Sequence, residues 1–350
     1  MKSLGVKVKL VDGEKALKLL RRLGLLRGEL KPLASNGYLV IPIQSPPPSQ
    51  ILEAYGLSEA EIVEEDFPER VKARSLPELL KGKIPDELLS KIPRSIDIVG
   101  HVAIVELPEE LEPHGVLLGK ALMEVHRNVK TVLAKATPVK GEYRVREFKL
   151  LAGEPRTETV HSEFGCRFRL DVRKVYFSPR LSFEHNRVAS QVRDGETVLD
   201  MFAGVGPFSI LIARRVRNVR VYAVDINPEA YRYLTENIRL NRVEGRVSAF
   251  LGDIRTLAKN QFKNLKFDRI IMNLPGEASK YLREAFMLSK PGTIIHYYCF
   301  TDNTDEETVK SGVRRLSEEA GGRVGEVLNV RVVREVAPRK WQVAVDFEVA

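Results

Sequence analysis

Residues 197 to 206 read Thr-Val-Leu-Asp-Met-Phe-Ala-Gly-Val-Gly, an apolar run that ends in an acid and a Gly-x-Gly turn. Glycine permits such a tight turn and lets a ligand approach the backbone where a Cβ would collide. Pro207 and Phe208 follow, and proline is favoured in the first turn of a helix. The stretch predicts a strand, a loop and a helix, the arrangement with which α/β proteins bind nucleotides.

A second apolar run, residues 219 to 224, ends in Asp225, where an acid can accept hydrogen bonds from ribose hydroxyls. A dinucleotide-binding loop would carry a third glycine where this chain has Ser209, and Asp200 would repel a pyrophosphate. An acid suits a cation instead, so we predict S-adenosylmethionine, which carries an ammonium and a sulfonium. The glycine pair alone would also fit an ordinary strand-to-helix turn.

Apolar runs and helical patterns alternate through the rest of the chain. The predicted strands are 247–251, 267–272 and 293–300, the helices are 227–241, 279–289 and 305–320, and two strands, 326–335 and 341–349, close the chain. This order predicts an α/β fold with a mostly parallel sheet and an antiparallel edge, typical of a Rossmann-like class I methyltransferase. Asp200, Asp225, Asp253 and Asn273 then fall at the carboxyl ends of strands, where such sheets bind ligands.

The composition favours a nucleic-acid partner. The chain has 350 residues, 43% hydrophobic and 29% charged, with a formal net charge of +9 and a pI near 9.4. A basic balance favours a polyanion such as RNA, although the charge-rich surface of a thermophile would look similar.

Neither a membrane span nor a secretion signal is visible in the sequence, so we expect a cytoplasmic protein. As a separate expectation, we take the protein to be a monomer. The cysteines, Cys166 and Cys299, lie far apart without the spacing of metal ligands. We therefore predict no metal site.

The segment before residue 176 is predicted to form two smaller α+β domains, 1–62 and 73–175, ahead of a catalytic domain over 176–350. The acidic, proline-containing segment 62–72 is predicted as a linker. Predicted elements are strand 5–11, helix 13–23 and strand 38–43 in the first domain, and helices near 77–91, strand 97–105, helix 115–127 and strands 130–136, 142–152 and 166–177 in the second.

Several longer motifs resemble the archaeal and eukaryotic tRNA (guanine-37) N1-methyltransferases. They are Ser95–Ala103, His161–Phe168, Val175–Leu181, Glu184–Arg187 and Phe202–Phe208. The resemblance is close over about residues 95 to 300. It implies methyl transfer from S-adenosylmethionine to N1 of the guanine that follows the anticodon. It also implies that the first domain contacts the outer corner of the tRNA.

The resemblance assigns the catalytic groups. Guanine N1 carries a proton near neutral pH, so a base must remove it, and Glu184 matches the family's catalytic Glu. Negative charge then collects on O6, and Arg144 matches the family's cation, with Arg146 as the alternative. Without the resemblance, Glu184 would be interpreted as an ion pair with Arg180 or Arg187, and Arg144 as a phosphate contact.

The loop Asn273-Leu274-Pro275-Gly276 lies where enzymes that methylate exocyclic amines carry Asn-Pro-Pro and then an aromatic residue. Gly276 cannot stack on a base, which favours a ring nitrogen as the target, while Asn273 and Pro275 can still hold the base edge. Tyr176 is predicted to pack on the guanine, although it would equally fit a core aromatic at a strand end.

The predicted cofactor site combines the strand ends with the glycine loop and the family's cofactor-side His. Its residues are His185, Asp200, Phe202, Gly204, Gly206, Asp225, Ile226, Asp253, Ile254 and Asn273. Asp225 with Ile226 would hold the ribose and adenine, and Asp253 with Ile254 the adenine amine and its face. Asp200 has a second interpretation, as a structural acid that orients the amides of the loop.

Three other functions remain open at this point. The first is a bifunctional relative that also methylates carbon 7 of a 4-demethylwyosine precursor at the same nucleotide. The second is a non-catalytic RNA-binding protein with an inactive cofactor fold. The third is a Rossmann dehydrogenase, which NAD rather than S-adenosylhomocysteine would stabilise against heat.

Overall fold

Alternating apolar residues build the first part of the fold. The computed structural model describes residues 1–69, 75–138, 141 and 143–350, and the chain divides into the units Met1–Ser75 and Leu76–Ala350. The first unit contains β1 (Lys2–Lys9), α1 (Gly13–Arg22), β2 (Leu33–Ser35), β3 (Tyr38–Pro42), α2 (Ser49–Ala54) and β4 (Glu61–Asp66). Val6 and Val8 on β1 are buried with Leu19 and Leu20 of α1, because alternate residues of a strand share one face.

The first unit corrects the predicted linker over 62–72. The four strands form an antiparallel sheet in the order β2-β3-β1-β4, and Glu61–Asp66 is its edge strand rather than a linker. Lys7 on β1 lies opposite Glu61, and their side chains form an ion pair with a distance of 2.9 Å. Acidic residues suit an exposed edge beside lysines because opposite charges on neighbouring strands attract. Residues 70–72 of the predicted linker lie outside the described residues.

The second unit begins with a four-stranded sheet in the order β5-β6-β7-β8. Its elements are α3 (Leu76–Leu80), α4 (Asp86–Leu89), β5 (Asp97–Val99), β6 (Val102–Val105), α5 (Gly115–Val125), β7 (Thr131–Lys135) and β8 (Phe148–Gly153). The single strand predicted over 97–105 is wrong, because Gly100, with φ +58°, turns the chain into an antiparallel pair. The strand predicted over 142–152 begins at Phe148, and residue 142 lies outside the described residues.

A two-stranded antiparallel sheet, β9 (Glu158–Glu163) and β10 (Cys166–Asp171), leads into the catalytic sheet. The sequence did not predict β9, and the strand predicted over 166–177 ends at Asp171. After β10 the chain enters α6 (Ser182–Ala189), which was also not predicted. This short helix carries Glu184 and His185.

The largest sheet has seven strands in the order β13-β12-β11-β14-β15-β17-β16. Its elements after α6 are β11 (Thr197–Asp200), α7 (Pro207–Arg215), β12 (Arg220–Asp225), α8 (Pro228–Leu240), β13 (Val247–Leu251), α9 (Ile254–Lys259), β14 (Phe267–Met272), α10 (Leu282–Leu288), β15 (Ser289–Thr301), α11 (Glu306–Glu319), β16 (Val324–Ala337) and β17 (Lys340–Val349). The first five strands are parallel, and β17 is antiparallel to both β15 and β16. The predicted parallel sheet with an antiparallel edge is confirmed.

The central strands are apolar on both faces, which explains their continuous apolar runs in the sequence. Neighbours on one strand belong to different buried clusters: Val198 and Ile271 pack in one, Leu199 and Ile270 in the other. Because both faces are covered, the sheet can bind a ligand only beyond its strand ends. No helix in the described part of the chain is both long enough and apolar enough to cross a membrane.

Candidate active site

A pocket opens at the carboxyl ends of β11, β12, β13 and β14. This is the edge of a parallel sheet at which α/β proteins bind their ligands. Ten predicted site residues line it: Arg144, Tyr176, Phe202, Gly204, Asp225, Ile226, Asp253, Ile254, Asn273 and Pro275. The other predicted residues, Glu184, His185, Asp200 and Gly206, do not line it.

Asp225 ties the glycine loop to the end of β12. Its carboxylate accepts hydrogen bonds from the backbone N–H of Gly204 at 2.7 Å and of Asn227 at 2.9 Å. Burial raises the pKa of this carboxyl, although the backbone hydrogen bonds oppose the rise. A carboxylate oxygen has two lone pairs, so each oxygen can accept one further hydrogen bond from a ligand.

Asp200 lies behind the loop instead of facing the pocket. Its side chain is fully buried, and its Oδ2 accepts a hydrogen bond from the Ser209 hydroxyl at 2.7 Å. Burial raises the pKa of the Asp200 carboxyl to about 7, although the bond from Ser209 opposes that rise. The geometry agrees with the structural alternative in which Asp200 orients the loop.

The raised pKa of Asp200 makes stability depend on pH. Because the folded carboxyl keeps its proton up to a pH of about 7 and the unfolded one loses it near 4, the folded state binds more protons in that window. The contribution of Asp200 to the free energy of unfolding therefore falls as pH rises from about 4 to 7. Asp200→Asn should remove this slope, so the melting temperature of the variant should improve relative to the parent between pH 5 and 8. If the difference in melting temperature between the variant and the parent stays constant from pH 5 to 8, Asp200 does not titrate in that range.

The two loop glycines differ in their surroundings. Gly206 has φ +91°, and an added Cβ would lie 2.5 Å from Leu234 Cδ1. Gly204 has φ +56°, and an added Cβ would meet only the Tyr176 carbonyl oxygen, at 3.8 Å. Gly206 thus lets the start of α7 lie close to the Leu234 side chain of α8, while Gly204 leaves open space beside the pocket.

Alanine at the two glycines should therefore have unequal effects on stability. Both substitutions place an L-residue at positive φ, at a cost of about 1–2 kcal/mol. Gly206→Ala should lose about 1–3 kcal/mol more, because its methyl overpacks the helix contact. Urea unfolding of the matched pair measures the difference, and equal losses would contradict the packing argument.

Asp253 caps α9 and is already paired. It accepts a hydrogen bond from the Arg255 backbone N–H at 2.8 Å, and the Arg255 Nε lies 2.9 Å from its Oδ2. The Arg255 guanidinium lowers the pKa of the Asp253 carboxyl. Asp253 therefore stays ionised at the rim of the pocket.

Asn273 presents an unused acceptor. Its side-chain Oδ1 is buried and has no hydrogen-bond partner among the described residues, although Asn273 lines the pocket. A buried polar atom without a partner costs about 1–3 kcal/mol. A ligand with an N–H or O–H donor would remove that cost.

Glu184 is held in a buried network beside the pocket. Its side chain is 2% exposed, and its Oε2 accepts hydrogen bonds from the Tyr298 hydroxyl at 2.9 Å and from Arg187 Nε at 2.9 Å. Its Oε1 lies 3.3 Å from Arg331 Nη1 without a hydrogen bond. Leu181, one helical turn earlier, lines the pocket.

The network explains which ion pair Glu184 forms. Arg187 also binds Asp346, and Asp346 lies 2.6 Å from His296 Nδ1. Burial opposes ionisation of Asp346, but His296 and Arg187 outweigh it and lower the pKa of that carboxyl. The predicted alternative pair with Arg187 is present, whereas Arg180 pairs with Asp97 at 2.6 Å.

His185 faces the core behind the loop. Its Nδ1 lies 2.8 Å from Glu163 Oε1, and its ring packs edge-on against Phe208 with centroids 4.6 Å apart. Both His185 and Glu163 are buried. His185 thus contacts the first turn of α7 from behind.

Arg144 and Tyr176 meet at the mouth of the pocket. The Arg144 guanidinium lies over the Tyr176 ring, 5.6 Å from its centroid. Arg334 donates to the Tyr176 hydroxyl at 3.3 Å, to Ser178 Oγ at 3.0 Å and to Gln342 Oε1 at 3.0 Å. The sequence did not single out Arg334 or Gln342, since they come from β16 and β17 and no local motif marks them.

A groove with basic residues continues from the pocket. It shares Arg144, Tyr176, Phe300 and Arg334 with the pocket, and it adds the basic residues Lys135, Arg146 and Arg180. Lys135 pairs with Glu106 at 3.0 Å. The described residues contain no group of three or more His, Cys, Asp or Glu side chains that could hold a metal ion.

The sheet order, the glycine loop and the polar strand ends define a Rossmann-like class I methyltransferase. Three family models match the chain: the TRM5/TYW2 methyltransferase domain over residues 159–328, the TYW2 N-terminal domain over 76–157 and the tRNA methyltransferase 5 N-terminal domain over 5–51. The chain belongs to the TRM5/TYW2 family of tRNA methyltransferases.

Known relatives match most or nearly all of the chain. The tRNA (guanine(37)-N(1))-methyltransferase Trm5b of Pyrococcus abyssi is 43% identical over 99% of both chains, and its crystal structure matches with a TM-score of 0.72. The structure of aTrm5 in complex with tRNALeu matches 99% of this chain and 100% of that chain at 34% identity, with a TM-score of 0.69. The tRNA 4-demethylwyosine(37)-methyltransferase Taw21 of Saccharolobus solfataricus is 37% identical over 73% of this chain and 94% of its own length.

Proposed function

We propose that this protein transfers a methyl group from S-adenosylmethionine to N1 of guanosine 37 in tRNA. The observation that carries the proposal is a single pocket in which the acid Asp225 and the unused acceptor Asn273 Oδ1 lie at neighbouring strand ends. The pocket continues into a groove with basic residues, which suits an RNA strand.

The residues of the pocket fit the cofactor. Asp225 offers carboxylate lone pairs to ribose hydroxyls, while Ile226 and Ile254 offer apolar surface to an adenine ring. Phe202 and Gly204 line the same wall, and Asn273 Oδ1 can accept from a donor of the cofactor or of the base. S-adenosylmethionine, when bound, supplies an electrophilic methyl group.

Glu184 serves as the base in this proposal. Two donors occupy its Oε2, so Oε1 is the oxygen available to accept the guanine N1 proton. Arg331, whose side chain is 43% exposed, must leave Oε1 when the substrate enters, and the phosphates of the RNA offer it another anion. Arg144, at the pocket mouth, is the cation for the charge that develops on O6.

The remaining assignments extend this function. We propose that the predicted domain 1–62 contacts the outer corner of the tRNA. In this proposal, domain 73–175 binds RNA and domain 176–350 binds the cofactor and carries out the methyl transfer. His185, Asp200 and Gly206 would support the cofactor loop from behind, and Pro275 the target base. A monomeric protein of the cytoplasm fits this function.

The second candidate function, methylation of carbon 7 of a 4-demethylwyosine precursor, has weaker support. The Trm5b relative matches 99% of this chain, whereas the Taw21 relative matches 73%. This difference in coverage favours N1 of guanine over carbon 7 of the precursor as the target.

Methylation of unmodified tRNA transcripts tests the function. Transcripts with G37 should yield 1-methylguanosine after digestion and nucleoside analysis, and matched transcripts with A37 should yield no methylated nucleoside. A parallel assay with tRNA that carries 4-demethylwyosine at position 37 separates the second candidate, for which nucleoside analysis should place the new methyl group on carbon 7. Absence of 1-methylguanosine from the G37 transcripts would overturn the proposal.

A further inference from the structure

The loop after β14 leaves space beside one particular aromatic ring. Gly276 follows Asn273-Leu274-Pro275 and carries no side chain, and an added Cβ would lie 3.8 Å from Phe300 Cε2. The ring of Phe300, on β15, therefore stands where a side chain at position 276 would project. The arrangement places an aromatic surface next to the loop even though the loop itself has none.

Phe300 also stands where the two cavities join. It lines both the pocket and the groove with basic residues, and it is half-buried. A base that leaves an RNA strand in the groove and reaches toward the pocket passes the junction that this ring lines together with Arg144, Tyr176 and Arg334. Half-burial leaves part of the ring accessible while the strand fixes its position.

Tyr176 occupies the same junction but is already engaged. The Arg144 guanidinium covers its ring at 5.6 Å, and Arg334 donates to its hydroxyl at 3.3 Å. Over the ring of Phe300 lies the ammonium group of Lys340, also 5.6 Å from the ring centroid. Lys340 is the exposed first residue of β17, and its flexible side chain can move to an RNA phosphate more easily than a guanidinium packed on the pocket wall.

We propose that Phe300 is the surface on which the target guanine stacks, replacing the aromatic residue that Gly276 lacks. The inference rests on the proposed function and names a specificity residue for it. When the guanine stacks on Phe300, its plane lies beside Asn273. The edge of the base, rather than its face, then meets the acceptor Asn273 Oδ1. An aromatic side chain at 276 would pack against Phe300 and compete for that space.

A double-mutant cycle between protein and RNA tests the inference. Affinity is measured for tRNA with G37 and for the same tRNA with an abasic site at 37, at saturating S-adenosylhomocysteine. Alanine substitution at a stacking residue weakens binding of a single-stranded base, so Phe300→Ala should weaken binding of G37 tRNA on the order of tenfold. Binding of the abasic tRNA should change less than about twofold, because the stacking partner is absent.

Matched variants show whether the aromatic ring is responsible. Phe300→Tyr should keep the preference for G37 over the abasic site, and Phe300→Leu, which keeps an apolar side chain, should lose it. Phe164→Ala removes an exposed phenylalanine that lines neither cavity, and it should leave both affinities unchanged. Because Tyr and Leu retain bulk, this pair keeps the test valid if Phe300→Ala unfolds.

Two results would overturn the inference. Equal weakening of both tRNAs by Phe300→Ala and Phe300→Leu would show that the ring supports the fold or the groove rather than the base. If Tyr176→Ala, and not Phe300→Ala, weakens binding of G37 tRNA more than binding of the abasic tRNA, the residue that stacks on the base is Tyr176. If the parent protein forms 1-methylguanosine and Phe300 shows no coupling, only this inference fails, whereas absence of 1-methylguanosine overturns the proposed function itself.

Discussion

Glu184→Gln is expected to slow the methyl-transfer step about 100- to 10,000-fold, the usual contribution of a general base. The amide keeps the size of the side chain and an oxygen that can accept from Tyr298 and Arg187, so the buried network keeps most of its hydrogen bonds. The amide has too little basicity to remove the guanine N1 proton. Single-turnover rates at saturating enzyme measure this step apart from binding and product release.

The control for this variant is a buried glutamate on another helix of the same unit. Glu284 on α10 is 7% exposed and does not line the pocket, so Glu284→Gln should leave the rate within about twofold. Affinities of Glu184→Gln for tRNA and for S-adenosylhomocysteine should stay close to those of the parent. Losses of affinity as large as the loss of rate would show that Glu184 only holds Arg187 and Arg331 in place.

Asp225→Ala should weaken the affinity for S-adenosylhomocysteine about 100-fold or more. A hydrogen bond to a charged group contributes about 1.5–3 kcal/mol, and two ribose hydroxyls would bind this carboxylate. The variant also frees the backbone N–H of Gly204, which Asp225 holds at 2.7 Å, and so loosens the loop. Isothermal titration calorimetry measures the change directly.

Asp268 provides the matched control for Asp225. It lies near the beginning of β14, where it accepts from the Thr197 backbone N–H at 2.7 Å and pairs with Lys290 at 2.6 Å. Asp268→Ala thus removes a backbone-binding aspartate away from the strand ends that form the pocket. It should lower stability without changing cofactor affinity. Similar affinity losses in both variants would mean that the effect arises from the fold and not from contact with the ribose.

The sequence predicted the strand ends well because they follow from local patterns. Apolar runs covered on both faces, followed by Asp225, Asp253 and Asn273, placed these residues at one edge of a parallel sheet, and all three line the pocket. The same pattern could not separate Asp200 from Asp225. Both end a strand, but Asp200 points into the core, and only the packing of Ser209 behind the loop decides that.

Contacts between distant segments could not be predicted. Arg334 reaches Tyr176 across 158 residues of sequence, and Tyr298 reaches Glu184 across 114. Periodicity reports which face of an element is apolar, but not which element lies opposite it. The acidic composition of Glu61–Asp66 likewise indicated a linker, because the lysine-bearing strand that it pairs with lies at the other end of the first unit.

A crystal structure with S-adenosylhomocysteine tests the central claim, that the pocket at the ends of β11 to β14 holds the methyl donor. We predict the ribose hydroxyls within hydrogen-bond distance of the Asp225 carboxylate, the adenine ring against Ile226 and Ile254, and the sulfur facing the junction where Phe300 stands. A ligand bound outside this pocket, or a ribose turned away from Asp225, would contradict the account.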